Sequence, residues 1–203
     1  MQARFCDEFE HGFGWIADEL FQRCSHALVV GGRVWLLDPV DADGVEERVR
    51  AAGAPAGVIQ LIDRHGRDCR VLAERLGVPH HGVPRRPLGD APFKFLSVAR
   101  TRVWQEVALW WPEARVLACG DALATHPALL AARERVALHP LLRPFPPRAT
   151  FGGLDPLHIV CGHGEGVHGD EATAALRTAL ANARRGLPSA WLRSLRTVVR
   201  RAV

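Results

Sequence analysis

The chain has 203 residues, 48% apolar and 24% charged, a balance that fits one globular domain able to bury a core without disulfides. Its formal charge of +4 rests almost wholly on arginine spread along the chain, Lys94 being the only lysine, so a nucleic-acid partner is not expected. No apolar run approaches the ~20 residues of a bilayer span, and Arg4, Asp7, Glu8 and Glu10 break any export signal. The five cysteines, at 6, 24, 69, 119 and 161, are odd in number and dispersed, which reads as reduced thiols in a cytoplasmic protein.

In chain order, residues 27–30 and 33–37 form two apolar runs joined by Gly31-Gly32, a hairpin signal. Asp38-Pro39 ends the second run. Helical spacing over 43–52, a short strand over 58–62 and a helix over 67–76 stopped by Gly77 follow. Strands are predicted at 93–98, 103–109 and 115–119, a short helix at 127–135, and an irregular Pro-rich connection at 139–150. A strand at 157–161 leads through Gly162-His163-Gly164 to a helix at 171–184, and a last helix runs from about 189 to 202. A hairpin at the start and a strand meander in the middle do not suit a purely parallel doubly wound sheet. The order predicts an α/β (α+β) fold, a four-layer αββα sandwich of two mixed β-sheets, as a single domain spanning 1–203.

Four strand ends carry chemistry in order: Asp38, the link from Asp63 to Cys69, Gly120-Asp121, and Gly162-His163-Gly164. From about Ala27 to Arg184 this succession resembles the metallo-β-lactamase superfamily. Metal ligands there converge from a His-x-His-x-Asp-His motif, a lone His, a Gly-Asp and a late Gly-His-Gly, with an early Asp supporting the site. The match is partial. Aligned on Asp68, the leading histidines fall on Arg64 and Gly66, the final one on Cys69, and the lone one near Arg102. A register shifted by one residue puts His65 on a histidine position but moves Asp68 off the aspartate.

The resemblance implies that the three-imidazole site is lost, since arginine neither donates a lone pair nor loses its proton. Asp68, Cys69, Asp121 and His163 remain as candidate ligands of one zinc, with iron or manganese as alternatives. His65 and Asp38 are the candidates for proton transfer. Arg64, Arg67 and Arg102 could instead neutralise the carboxylates with no metal bound, and would then bind a small anion.

Elsewhere the plainer readings stand. Cys119 and Cys161 suit sheet cores. Adjacent His80 and His81 point to opposite faces of a strand, and Trp110-Trp111 would put one ring in the core and one at the rim. Trp191, Leu195, Val198 and Ala202 form an apolar stripe with Arg193, Arg196, Arg200 and Arg201 largely off it. Such a helix docks on its own domain by default, and a membrane partner is not expected.

Three functions stay open: a single-metal hydrolase of an ester, thioester or amide; a non-catalytic relative binding a small-molecule ligand; and an interaction protein using the C-terminal helix. Loss of three ligands favours the second. Neither the substrate nor the oligomeric state follows from the sequence.

Overall fold

Two sheets, each covered on both faces, account for most of the apolar sequence. In the computed structural model, which describes residues 2–17 and 22–201, the first half contains β1 (Ala3–Phe9), β2 (Gly12–Ala17), β3 (Cys24–Val30), β4 (Arg33–Leu37), α1 (Val45–Ala52), β5 (Ala54–Gln60), α2 (Cys69–Leu76) and β6 (His80–Gly82). These strands make a six-stranded sheet in sequence order, antiparallel from β1 to β4 and parallel from β4 to β6. The second half contains β7 (Lys94–Arg100), β8 (Gln105–Trp111), β9 (Val116–Cys119), the short pair β10 (Leu123–Ala124) and β11 (Ala137–Leu138), a helical turn α3 (Arg148–Phe151), β12 (His158–Cys161), β13 (Val167–His168) and α4 (Glu171–Arg201). Its five-stranded sheet has the order β13-β12-β9-β8-β7, with β12 parallel to β9.

Side-chain alternation builds the layers. Leu36 faces α1 and α2 with Trp15, Val49 and Ala73, whereas Trp35 and Leu37 face the second sheet with Leu28, Ile59, Leu109 and Val160. On the far side Leu117, Ile159 and Cys161 pack against Leu176, Ala179 and Leu180 of α4. The result is the predicted αββα order. Trp110 and Trp111 lie in the outer and inner cores respectively, both buried, because neither face of their sheet meets water. Among the described residues no helix is long and apolar enough to cross a membrane.

The hairpin forms as its turn demands: Gly31 and Gly32 both adopt positive φ, 55° and 75°. β1 and β2 carry no clear pattern in sequence, since Asp7, Glu8, Glu10 and the glycines at 12 and 14 interrupt it. The helix predicted at 127–135 is absent. Glu134 Oε2 there accepts from Ala131 N at 2.8 Å, and Arg143 Nη2 donates to Leu129 O at 3.3 Å, so side chains satisfy backbone groups that a helix would pair internally.

The two C-terminal helices are one, α4, which continues through Pro188. Gly186 does not stop it: a Cβ there would lie 2.7 Å from Arg143 Nη1 and 2.8 Å from Ala131 Cβ, so the glycine permits close packing. Trp191 is exposed. The side chains of the rest of the stripe, from Leu195 onward, lie outside what the structure describes, as do residues 202 and 203.

Arg143 and Glu134 form a fully buried bidentate pair, with N–O distances of 2.9 and 2.7 Å, and Arg143 Nε donates to Leu138 O at 3.1 Å. Removing one partner strands a buried charge, whereas removing both leaves apolar space. Glu134→Ala should therefore cost about 3–5 kcal/mol in urea denaturation, and Glu134→Leu with Arg143→Met should recover most of it. Equal losses in both variants would contradict this account.

Candidate metal centre

Four loops meet at one edge of the sandwich, beyond the ends of β4, β5, β9 and β12. Asp38, at the end of β4, holds φ 42° and is buried. Its Oδ1 accepts from Leu61 N at 2.7 Å, and its Oδ2 lies 3.0 Å from His65 Nδ1. A carboxylate at Nδ1 fixes the tautomer with that proton on Nδ1, leaving Nε2 as the lone-pair nitrogen. His65 Nε2 lies 3.0 Å from Asp121 Oδ1, and His163 Nε2 lies 3.2 Å from the same oxygen.

The contact is not simply an ion pair. Asp121 Oδ1 is buried and has no hydrogen bond of acceptable direction, although two imidazole nitrogens stand within 3.2 Å of it. His65, Asp121 and His163 thus bring three ligand atoms to one point without satisfying one another. Burial by itself would raise the Asp121 carboxyl, but the His163 and His65 imidazoles outweigh it and hold the pKa well below the usual range. Burial likewise opposes a charged His65, yet Asp121 and Asp38 on either side raise its pKa above the ordinary value.

Two imidazoles and a carboxylate are a donor set for one zinc or similar ion. A second ion does not fit. Asp68 sits at the N-cap of α2 and accepts from Asp41 N at 2.8 Å. Cys69 is buried in the core beneath that helix, its Sγ 3.5 Å from His65 O, and burial pushes its thiol up to about 12. The four-residue set of Asp68, Cys69, Asp121 and His163 therefore does not assemble. His65 joins Asp121 and His163 in place of the first two, as the shifted register would have it.

The three arginines do not converge either. Arg67, at φ 33°, donates to Cys24 O at 2.7 Å, Asp38 O at 2.9 Å and Gly162 O at 3.0 Å, and its Nη2 stands 3.4 Å from His65 Nε2. A permanent cation thus lies beside the three ligands. Arg64 is exposed and stacks 4.9 Å over the Trp104 ring, and Arg102 is exposed in the β7–β8 turn.

Glu106 carried no signal in the sequence, being one acidic residue inside an apolar strand. It is fully buried, and its Oε1 accepts from Asp121 N at 2.9 Å and Ala122 N at 2.8 Å. Oε2 accepts from Trp104 Nε1 at 2.8 Å. It clamps the turn that presents Asp121, and burial pushes its carboxyl up to about 7 against these donors. On its other side lies a cavity of about 110 Å³, bordered also by Arg85, Phe95, Arg100 and Gln105.

No protein-family model and no curated protein sequence matches the chain. Solved structures do. The metallo-β-lactamase DIM-1 aligns over 91% of this chain and 98% of its own, with a TM-score of 0.57 and 12% identity. A metallo-β-lactamase from Pontibacter korlensis aligns over 89% and 100%, with a TM-score of 0.55 and 11% identity. A fragment of putative diflavin flavoprotein A 5 from Nostoc sp. PCC 7120 aligns over 95% and 98%, with a TM-score of 0.58 and 10% identity.

The chain has the metallo-β-lactamase fold. At such identities the likeness is one of fold, and chemistry must be argued from this chain's own residues. On the metallo-β-lactamase scaffold seen here, the edge where His65, Asp121 and His163 meet depends on Glu106. Glu106→Ala leaves three N–H groups without an acceptor and should cost about 3 kcal/mol or more in urea denaturation. Glu106→Gln keeps an acceptor oxygen for the turn and should cost less. A loss below about 0.5 kcal/mol for the alanine variant would contradict the clamp.

Proposed function

We propose that the protein is a hydrolase of an ester, thioester or amide that works with a single metal ion held by His65, Asp121 and His163. The observation that carries this reading is Asp121 Oδ1, a buried carboxylate oxygen with two imidazole nitrogens at 3.0 and 3.2 Å and no directed hydrogen bond. Three protein ligands and an open position are the pattern of catalytic zinc, whereas structural zinc is closed by four. Zinc bound there supplies Lewis acidity and acidifies water toward neutral pH.

The remaining work falls to the chain itself. Asp38 holds His65 with Nε2 turned toward Asp121, through the 3.0 Å bond at Nδ1. Glu106 fixes the Asp121 peptide, so the carboxylate is placed before any ion arrives. Arg67 stands beside the ligands and supplies positive charge that a second ion would otherwise bring, which limits the centre to one metal.

Metal content by elemental mass spectrometry tests the reading together with hydrolysis of chromogenic ester, thioester and amide substrates. Zinc-loaded protein should hydrolyse at least one of them, a chelator should abolish the activity, and Asp121→Ala with His163→Ala should lower it by about 100-fold or more. Asp38→Asn should weaken zinc binding about 10–100-fold while the fold persists. Zinc binding unaffected by the double substitution, or no hydrolysis by the loaded protein, would overturn the proposal.

A further inference from the structure

Among the described residues one other group of side chains brings metal-ligating atoms together: Cys6, Asp7 and Cys24, with His26 beside them. The strands place them. Cys6 pairs across β2 with Gly14, and Gly14 pairs with His26 on β3, so the three lie in line over one face of the sheet. Cys24 is two residues before His26 and shares its face. Asp7 joins them because β1 is irregular between Cys6 and Phe9 and Asp7 takes φ 51°. Such a bulge turns a neighbouring side chain toward the face it would otherwise leave.

Gly14 leaves the room. A Cβ there would lie 2.9 Å from His26 Cδ2 and 3.0 Å from Asp7 Oδ2.

The distances suit a shared ion. Around a tetrahedral zinc two thiolates stand about 3.8 Å apart, and a thiolate stands about 3.5 Å from an imidazole nitrogen or a carboxylate oxygen. Cys6 Sγ to Cys24 Sγ is 3.9 Å, Cys24 Sγ to His26 Nε2 is 3.5 Å, and Cys6 Sγ to Asp7 Oδ2 is 3.5 Å. Cys24 Sγ to Asp7 Oδ2 is 3.9 Å, and Asp7 Oδ2 to His26 Nε2, at 3.0 Å, is a direct hydrogen bond that an ion would lengthen. All four side chains are buried. Asp7 is braced through its other oxygen, which accepts from Gly166 N at 2.7 Å and faces His168 Nε2 at 3.1 Å. Burial would raise the Asp7 carboxyl, but His168 and His26 hold it well below the usual range, so it is an anion inside the protein.

We propose that Cys6, Asp7 and Cys24 form a second, structural metal site suited to zinc, with His26 holding Asp7 in place beside it. Two thiolates and a carboxylate suit zinc, and burial of all three side chains keeps substrate away. The site ties the outer strand β1 to β3 and, through Asp7, to Gly166 and His168 of the second sheet. Its inner end supports the catalytic edge: Cys24 N donates to Gly162 O at 2.9 Å, and Cys24 O accepts from Arg67.

Cobalt(II) tests this on the intact protein, because a sulfur-to-cobalt charge-transfer band reports thiolate ligation and the His65–Asp121–His163 centre holds no sulfur. The band should appear at about one equivalent of thiolate-bound cobalt in the parent protein and persist in the Asp121→Ala, His163→Ala variant. It should vanish in Cys6→Ser with Cys24→Ser, which should also lose about one equivalent of zinc. A folded, cobalt-treated parent protein without the band would overturn the proposal. So would zinc content unchanged in the serine variant, or a mass lower by two hydrogens showing a Cys6–Cys24 disulfide. Should the serine variant fail to fold, the parent titration decides alone. Hydrolysis plays no part in the readout, so failure here is distinct from failure of the catalytic reading.

Discussion

The guanidinium of Arg67 is the joint on which the edge carrying His65, Asp121 and His163 depends. It draws together the carbonyls of Cys24 and Asp38 from the first sheet and of Gly162 from the second. Carbonyls at strand ends meet the Nη donors of the buried guanidinium, while its Nε has no hydrogen-bond partner among the described residues. Burial lowers its pKa, opposed by the charges of Asp38 and Asp121, yet arginine stays protonated, so the edge carries a fixed positive charge. That charge offsets one of the two buried carboxylates beside it, Asp38 and Asp121.

Around this joint each ligand has its own support. Asp38 orients His65, Glu106 orients the Asp121 turn, and both supports are buried carboxylates. Placing three acidic groups at one edge is unfavourable unless cations and N–H donors answer each of them. Here Arg67, His65, His163 and four N–H groups do so, although no hydrogen bond of acceptable direction reaches Asp121 Oδ1.

Much of this was legible in the sequence, for reasons that can be named. The Gly31-Gly32 hairpin, the strand ends at Asp38, Asp121 and His163, and the helix ended by Gly77 follow from local chemistry. Asp68 and Cys69 were not separable from His65, because a one-residue change of register in the 63–69 loop exchanges a ligand for a helix N-cap and a core thiol. Glu106 was hidden, since burial of a lone acid depends on donors from Trp104, Asp121 and Ala122, which only the folded chain assembles. The Cys6–Asp7–Cys24 group was hidden for a similar reason: it rests on a bulge in β1, two strands away from Cys24, and on Gly14 in the strand between them.

The most direct measurement of the central claim is anomalous diffraction at the zinc edge from crystals equilibrated with zinc. The account predicts a peak within about 2.0–2.2 Å of His65 Nε2, Asp121 Oδ1 and His163 Nε2, with no second peak at Arg67. A peak coordinated by Asp68 and Cys69, or none at this edge under saturating zinc, would contradict it.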